Sequence, residues 1–286
     1  MEKHILEFPG LGLAFELKRV AFSVFGVHIY WYGLIVALAA IMAGIYAWIR
    51  AKEFKQSEDA FLFFIIFAFV GGVIGARIYY IVFEHRNFHS FFDVINIHAG
   101  GIAVYGALIG GAIATYITAH CIKEPLLPAL DLFANAALLG QAIGRWGNFV
   151  NMEAFGSNTN LPWRMTSLPI QRDLFVARAR GAAVDPELPV HPCFLYESIW
   201  CLIGFLVIAF YAKHRKFDGE LLLIYMMWYG FGRALIESLR IDSLMFMGFM
   251  VSQVLSILLV VIAGIVWRKI RKKRVVREPQ PQGTVV

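Results

Sequence analysis

Seven predominantly apolar runs constrain this chain more than any other feature: Trp31–Ile49, Ala60–Phe83, Gly101–His120, Pro128–Phe149, Phe194–Tyr211, Leu221–Leu239 and Leu244–Trp267. Each is near the roughly 17–25 residues that a helix needs to cross a bilayer. In hydrocarbon every backbone N–H and C=O must find an internal partner, which favours helices for runs of this length. The expected fold is therefore an all-α polytopic membrane protein with about seven transmembrane helices. Composition agrees: of 286 residues, 59% are hydrophobic and 16% charged, against about 45–50% and 25% in soluble domains.

The connections set the expected orientation. Arg50, Lys52 and Lys55 follow the first run, Lys123 the third, and Lys213, Arg215 and Lys216 the fifth. Seven further basic residues lie between Arg268 and Arg277, whereas the opposite short connections carry Arg86 and Arg240. Lysine and arginine mark the cytoplasmic side. The N-terminus is thus expected outside and the C-terminus in the cytoplasm. Residues 1–30 form an N-terminal extracytoplasmic segment, with a short strand or hairpin expected where Phe22–Ile29 partly alternates. The seven-helix domain covers 31–267, and the long polar loop 151–192 makes a small extracytoplasmic head. Residues 268–286 read as a basic tail that stays disordered. No cleavable signal peptide is visible, so the first span is expected to serve as its own insertion signal. Net charge is +6, and no nucleic-acid partner is expected. Cys121, Cys193 and Cys201 form no C-x-x-C pair, so no metal or redox motif is expected. No internal repeat is evident, which counts against an inverted-repeat transporter.

The chemistry concentrates in Gly140–Gly156, which reads GQAIGRWGNFVNMEAFG. An arginine at a helix centre costs about 2.5–3.5 kcal/mol on insertion scales, and such residues usually face a bundle interior or a wet cavity. Arg145 and Asn148 share a helix face, with Asn151, Glu153 and Gly156 just beyond. Arg77 and Arg233 also lie in apolar runs, and Arg233 and Glu237 are spaced i,i+4. Bland readings stand beside these: Arg145 or Arg77 snorkelling to headgroups, and Arg233–Glu237 as a self-neutralising pair. Tyr32 could be an interfacial aromatic, and Tyr105, in Gly100–Gly106, a packed side chain. His191 and Glu197 open the fifth run and are placed to orient a loop or bind substrate. Cations converging with amides and carboxylates point to an anion site, and phosphate suits the planar guanidinium fork. The residues alone identify no reaction.

The motifs resemble one family. Gly144–Gly156 is similar to the signature of bacterial prolipoprotein diacylglyceryl transferases. The resemblance continues through Trp31-Tyr-Gly, Gly75-Ala-Arg77, Gly100–Gly106, His191-Pro with Leu195-Tyr-Glu, and Tyr229-Gly-x-Gly-Arg233-x-x-x-Glu237. It covers roughly Phe22 to Trp267. Two positions depart: many members have glycine at Met152 and histidine at Tyr105, where tyrosine is an alternative.

The resemblance implies transfer of the diacylglyceryl group of phosphatidylglycerol to the lipobox cysteine of a prolipoprotein signal peptide, releasing glycerol phosphate. No metal or organic cofactor is implied. Arg145 and Arg233 would stabilise the leaving phosphate. Asn148, Asn151 and Glu153 would hold the headgroup and fix Arg145, and Glu237 would orient Arg233. Tyr32, Arg77, Gly156, His191 and Glu197 join the substrate-binding set, and Tyr105 the catalytic one. The proton acceptor stays open among Tyr105, His98 through water, and a lipid phosphate oxygen. An anionic lipid or anion transporter is the alternative. An intramembrane protease would need catalytic pairs that the spans lack, and a scaffold would not need several cations at one depth.

Overall fold

A computed structural model describes residues 3–83, 101, 103–241, 243, 245–246 and 248–275. Arg86, His98 and the tail beyond Val275 lie outside these described residues. Two hairpins open the chain: β1 (Lys3–Phe8) with β2 (Leu13–Lys18), and β3 (Val20–Val24) with β4 (Val27–Tyr30). The helices are α1 (Trp31–Arg50), α2 (Glu58–Phe83), α3 (Val104–Ile122), α4 (Leu126–Asn151), α5 (Leu168–Ala179), α6 (Cys193–Tyr211), α7 (Glu220–Glu237) and α8 (Val251–Val275). Short strands β5 (Thr166–Ser167), β6 (Met245–Phe246) and β7 (Phe249–Met250) and two 3-10 turns, Ala51–Phe54 and Ala212–His214, are the other described elements.

Among the described residues six helices, α1, α2, α3, α4, α6 and α8, are long and apolar enough to cross a membrane. The remaining long helix, α7, has 18 residues but carries Glu220, Arg233 and Glu237, so composition alone does not mark it as a span. The sequence expectation of about seven spanning helices is compatible with this set. The last helix starts later than the apolar run suggests. β6 and β7 pair antiparallel, Met245 opposite Met250, and Gly248 just before β7 has a φ of 82° that suits glycine.

The chain divides into two compact units, Gly44–Phe133 and the remainder. In Gly44–Phe133, α2 and α3 pack through glycines. A Cβ on Gly75 would stand 2.7 Å from Gly110 Cα, and one on Gly71 2.8 Å from Gly110 O. Lipid supplies no hydrophobic force between helices, so close backbone approach through small residues holds such pairs. At the other end of α2, Phe64, Ala60, Ala119 and Ala129 are buried together, and Gln56 Nε2 donates to Pro125 O at 3.1 Å.

In the other unit, the N-terminal segment and the loop 151–192 share one core. Leu6 and Phe8 of β1 are buried with Met152, Phe155, Met165, Ile170, Leu174, Val190 and Phe194. Strand order is β2-β1-β5, antiparallel, with Leu6 opposite Ser167. The α5 helix starts where the Ser167 hydroxyl accepts from Ile170 N at 3.3 Å, an N-cap that satisfies a free donor. The helices α6 and α7 lock through Trp200 and Trp228, stacked with centroids 4.6 Å apart. Each indole N–H donates to the other residue's carbonyl, at 2.9 and 3.0 Å. Gly204 and Gly232 leave space for the rings, since a Cβ on either would collide with the facing indole.

Candidate active site

Glu197, in the second turn of α6, is the centre of the polar cluster and is buried, with 3% of its side chain exposed. Arg233 of α7 donates through Nη1 to Glu197 Oε1 at 2.7 Å. Arg145 of α4 pairs through Nη2 with Glu197 Oε2. Arg233 also reaches one turn onward, its Nη2 lying 2.6 Å from Glu237 Oε2. Arg240 brings a third guanidinium to 3.9 Å from Glu197 Oε1. Glu197 Oε2 and Glu237 Oε2 meet their guanidiniums as ion pairs without hydrogen-bond alignment. Beside the cluster, Ser198 Oγ donates to Ala142 O at 2.7 Å, which fixes α6 against α4.

Guanidiniums of Arg145, Arg233 and Arg240 gather at Glu197 and Glu237, and the carboxylates are the more deeply buried. Side-chain exposure is 23% for Arg145 and 19% for Arg233 against 2% for Glu237. Cations therefore form the accessible layer over an acidic floor, which is the arrangement an anion requires. Opposite unit charges 4 Å apart attract by about 4 kcal/mol at an effective dielectric of 20, enough to hold guanidiniums in fixed orientation.

The end of α4 builds the adjoining surface. Asn148 Nδ2 and Asn151 Nδ2 donate to Glu153 Oε1 at 2.9 and 3.2 Å. This corrects one expectation: Arg145 pairs with Glu197, not with Glu153. Met152 and Ala154 flank Glu153 with φ of 57° and 56°. That is the left-handed region, where glycine is unstrained and a residue with a side chain is not. Tyr32 of α1 packs on Gly147, where a Cβ would stand 2.9 Å from the ring. Gly156 has no room for a side chain either, a Cβ there lying 2.8 Å from Leu239 O; its N–H donates to His191 O at 2.9 Å.

Arg77 and Tyr105 belong to Gly44–Phe133. Arg77 Nη1 donates to Gly101 O at 2.8 Å, with its guanidinium 5.8 Å from the Tyr80 ring centre. Tyr105 sits in the first turn of α3, exposed, its ring 6.5 Å from that of Tyr79. The sequence reading missed Arg240 as a member of the cluster, having counted it only for topology. Its spacing three residues after Glu237 was the available signal.

His191 Nδ1 lies 3.1 Å from Tyr196 OH, which accepts from Trp163 Nε1 at 2.7 Å. Burial lowers the His191 pKa below its ordinary value. The unfolded chain then binds the proton at a higher pH than the folded one. His191 thus contributes stability above about pH 6.5, and loses it as pH falls through the folded pKa. Thermal unfolding between pH 7 and 5 should show a drop in Tm that His191→Gln reduces.

Six described helices long and apolar enough to cross a bilayer define a multi-pass membrane protein, with a cluster of buried carboxylates paired to guanidiniums. The profile of the prolipoprotein diacylglyceryl transferase family matches residues 19–268, and the chain belongs to that family. Among curated relatives, a phosphatidylglycerol–prolipoprotein diacylglyceryl transferase of Finegoldia magna is 38% identical over 92% of this chain and 100% of its own. One of Clostridioides difficile is 40% identical over 87% and 94%. One of Thermotoga maritima is 38% identical over 86% and 82%.

Proposed function

We infer that this chain transfers the diacylglyceryl group of phosphatidylglycerol to the thiol of a lipobox cysteine in a prolipoprotein. Family membership and relatives named for that reaction support the activity. The observation that carries the site is the meeting of Arg145 and Arg233, from separate helices, on the buried Glu197.

The substrate thiolate attacks the glyceryl carbon that bears the phosphate ester. The S–C bond forms, the C–O bond breaks, and its electron pair leaves with the phosphate oxygen as glycerol phosphate. The thiol proton passes to a base. Thiols have a pKa near 8.5 and react as thiolates, so a proton acceptor is required; the proposed groups are Tyr105 in its phenolate form, since the neutral phenol has a pKa near 10, and a phosphate oxygen of the lipid. Arg145 and Arg233 hold the phosphate and stabilise the charge that grows on it, a contribution of about 10²–10³ in rate per comparable donor. Glu197 and Glu237 orient them. Asn148, Asn151 and Glu153 hold the glycerol headgroup, while Tyr32, Arg77, Gly156 and His191 shape the substrate site.

We propose that the protein lies in the bacterial cytoplasmic membrane with its N-terminus outside. Residues 1–30 are then extracytoplasmic, 31–267 form the transmembrane domain including the extracytoplasmic head 151–192, and 268–286 face the cytoplasm. The lysine and arginine bias supports this. So does the meeting of the basic end of α8 with the Lys213–Lys216 connection. There Arg271 Nη1 lies 3.8 Å from Glu220 Oε1, and Tyr211 OH donates to the same oxygen at 3.0 Å.

Mass spectrometry of a reporter prolipoprotein mixed with the protein and phosphatidylglycerol should show a diacylglyceryl increment on the lipobox cysteine. An unmodified reporter contradicts the reading. In the same assay Tyr105→Phe abolishes transfer if the phenolate takes the proton, and undiminished turnover removes it from that role.

A further inference from the structure

We propose that the β3–β4 hairpin, Val20–Tyr30, is a membrane anchor whose apolar face and tip lie in the lipid interface beside the start of α1. The hairpin is two-faced. Val24 opposes Val27 and Phe22 opposes Ile29, which puts four apolar side chains on one face. Ser23 opposes His28 on the other face, where Ser23 Oγ and His28 Nδ1 are 2.7 Å apart. Among the described residues nothing buries the apolar face: Phe22, Val24 and Val27 are 49%, 44% and 62% exposed. A two-stranded ribbon is marginal in water without a cover for its apolar side.

The tip adds a second observation. Phe25 and Gly26 form the two-residue loop, with φ of 49° and 83°. Positive φ at both positions is the requirement of a type I′ turn, where asparagine, aspartate or glycine normally precedes the second glycine. Phenylalanine is strained there, and Phe25 is fully exposed. A bulky apolar residue held in a strained and solvated position has no reward inside the protein. Lipid supplies one, since aromatic side chains favour the membrane interface.

Position selects lipid as the occupant. The hairpin runs without a break into α1, a membrane-spanning candidate. Trp31 N donates to Arg19 O at 3.0 Å, which ties the base of the hairpin to the first residue of that helix. Arg19 Nη2 donates to Asn151 O at 3.1 Å, tying the same base to the end of α4. Tyr30, Trp31 and Tyr32 continue the aromatic surface along the same level. The base therefore sits where α1 leaves the bilayer, and the exposed ribbon is at interface depth. This rests on the membrane-spanning fold and not on the transferase reading.

The test uses the full chain in vesicles of phosphatidylethanolamine and phosphatidylglycerol. Cys121, the exposed cysteine, is changed to serine, while Cys193 and Cys201 are buried. An environment-sensitive fluorophore is attached at Phe25→Cys or, on the apolar face, at Val27→Cys, with Ser23→Cys as the polar-face control. The expected result is blue-shifted emission at both apolar positions. Lipids carrying a nitroxide near the headgroup should quench these probes about twofold more than the control, and aqueous iodide should quench them less. Iodide quenching equal to that of the control overturns the proposal. So does shielding from iodide without quenching by the nitroxide lipids, which would mean that protein covers the face.

Discussion

Glu197→Gln should be the most damaging single substitution in the cluster, lowering both stability and turnover. Glu197 receives Arg145 and Arg233 directly and has Arg240 at 3.9 Å. Glutamine keeps the shape but removes the charge, leaving guanidiniums of α4 and α7 without their shared counterion. Breaking a buried ion pair from one side costs about 3–5 kcal/mol, because the remaining charge stays desolvated. Unfolding in detergent should therefore move to clearly lower temperature, and diacylglyceryl transfer should fall to background. Glu197→Asp, which restores the charge on a shorter side chain, should recover part of the stability. Unfolding and turnover unchanged by Glu197→Gln would show that the carboxylate does not hold the two arginines.

The second large effect separates guanidinium geometry from charge. Arg145→Lys and Arg233→Lys each retain a cation but lose the planar fork that meets a phosphate with two parallel hydrogen bonds. Each is expected to reduce the transfer rate about 10²–10³-fold, the range for losing one fixed donor at a developing anion. Because the contact strengthens as the phosphate leaves, the loss falls on kcat more than on KM. Arg240→Lys is the internal comparison. Its guanidinium is 3.9 Å from Glu197, farther than that of Arg233 at 2.7 Å, so its loss should stay within about tenfold. Equal effects at the three positions would contradict the assignment of Arg145 and Arg233 to the phosphate.

Much of the architecture was legible because membrane helices are specified locally. The apolar runs gave the long helices to within a few residues, as at Trp31 and Phe83. The α8 start was misjudged because the Met245–Met250 segment is as apolar as the helix after it; the turn at Gly248 decides its structure. The β1–β2 hairpin was not anticipated, and neither was its shared core with the 151–192 loop. Pairing of Leu6 with Ser167 joins distant parts of the chain, and no local pattern encodes it.

The same division runs through the site. Arg233 with Glu237 was readable from i,i+4 spacing, and the common face of Arg145 and Asn148 from i,i+3. The partnership of Arg145 with Glu197 was not, since it depends on how α4, α6 and α7 pack. That packing is set by Ser198 on Ala142 and by the Trp200–Trp228 stack in glycine gaps. Each was visible as a residue, but none as a contact. Glu197, in the second turn of an apolar helix, was singled out as a substrate-binding candidate; a buried charge implies a partner, but the sequence does not name which.

The central claim is that the guanidiniums of Arg145 and Arg233 receive the phosphate of phosphatidylglycerol. Solid-state NMR recoupling between 15N-labelled arginine and lipid 31P, recorded on the full chain in phosphatidylglycerol bilayers, measures that contact directly. Guanidinium–phosphorus dephasing is expected in the unaltered chain and should fall away in the Arg145→Ala, Arg233→Ala double variant. Dephasing of the same size in the double variant would contradict it.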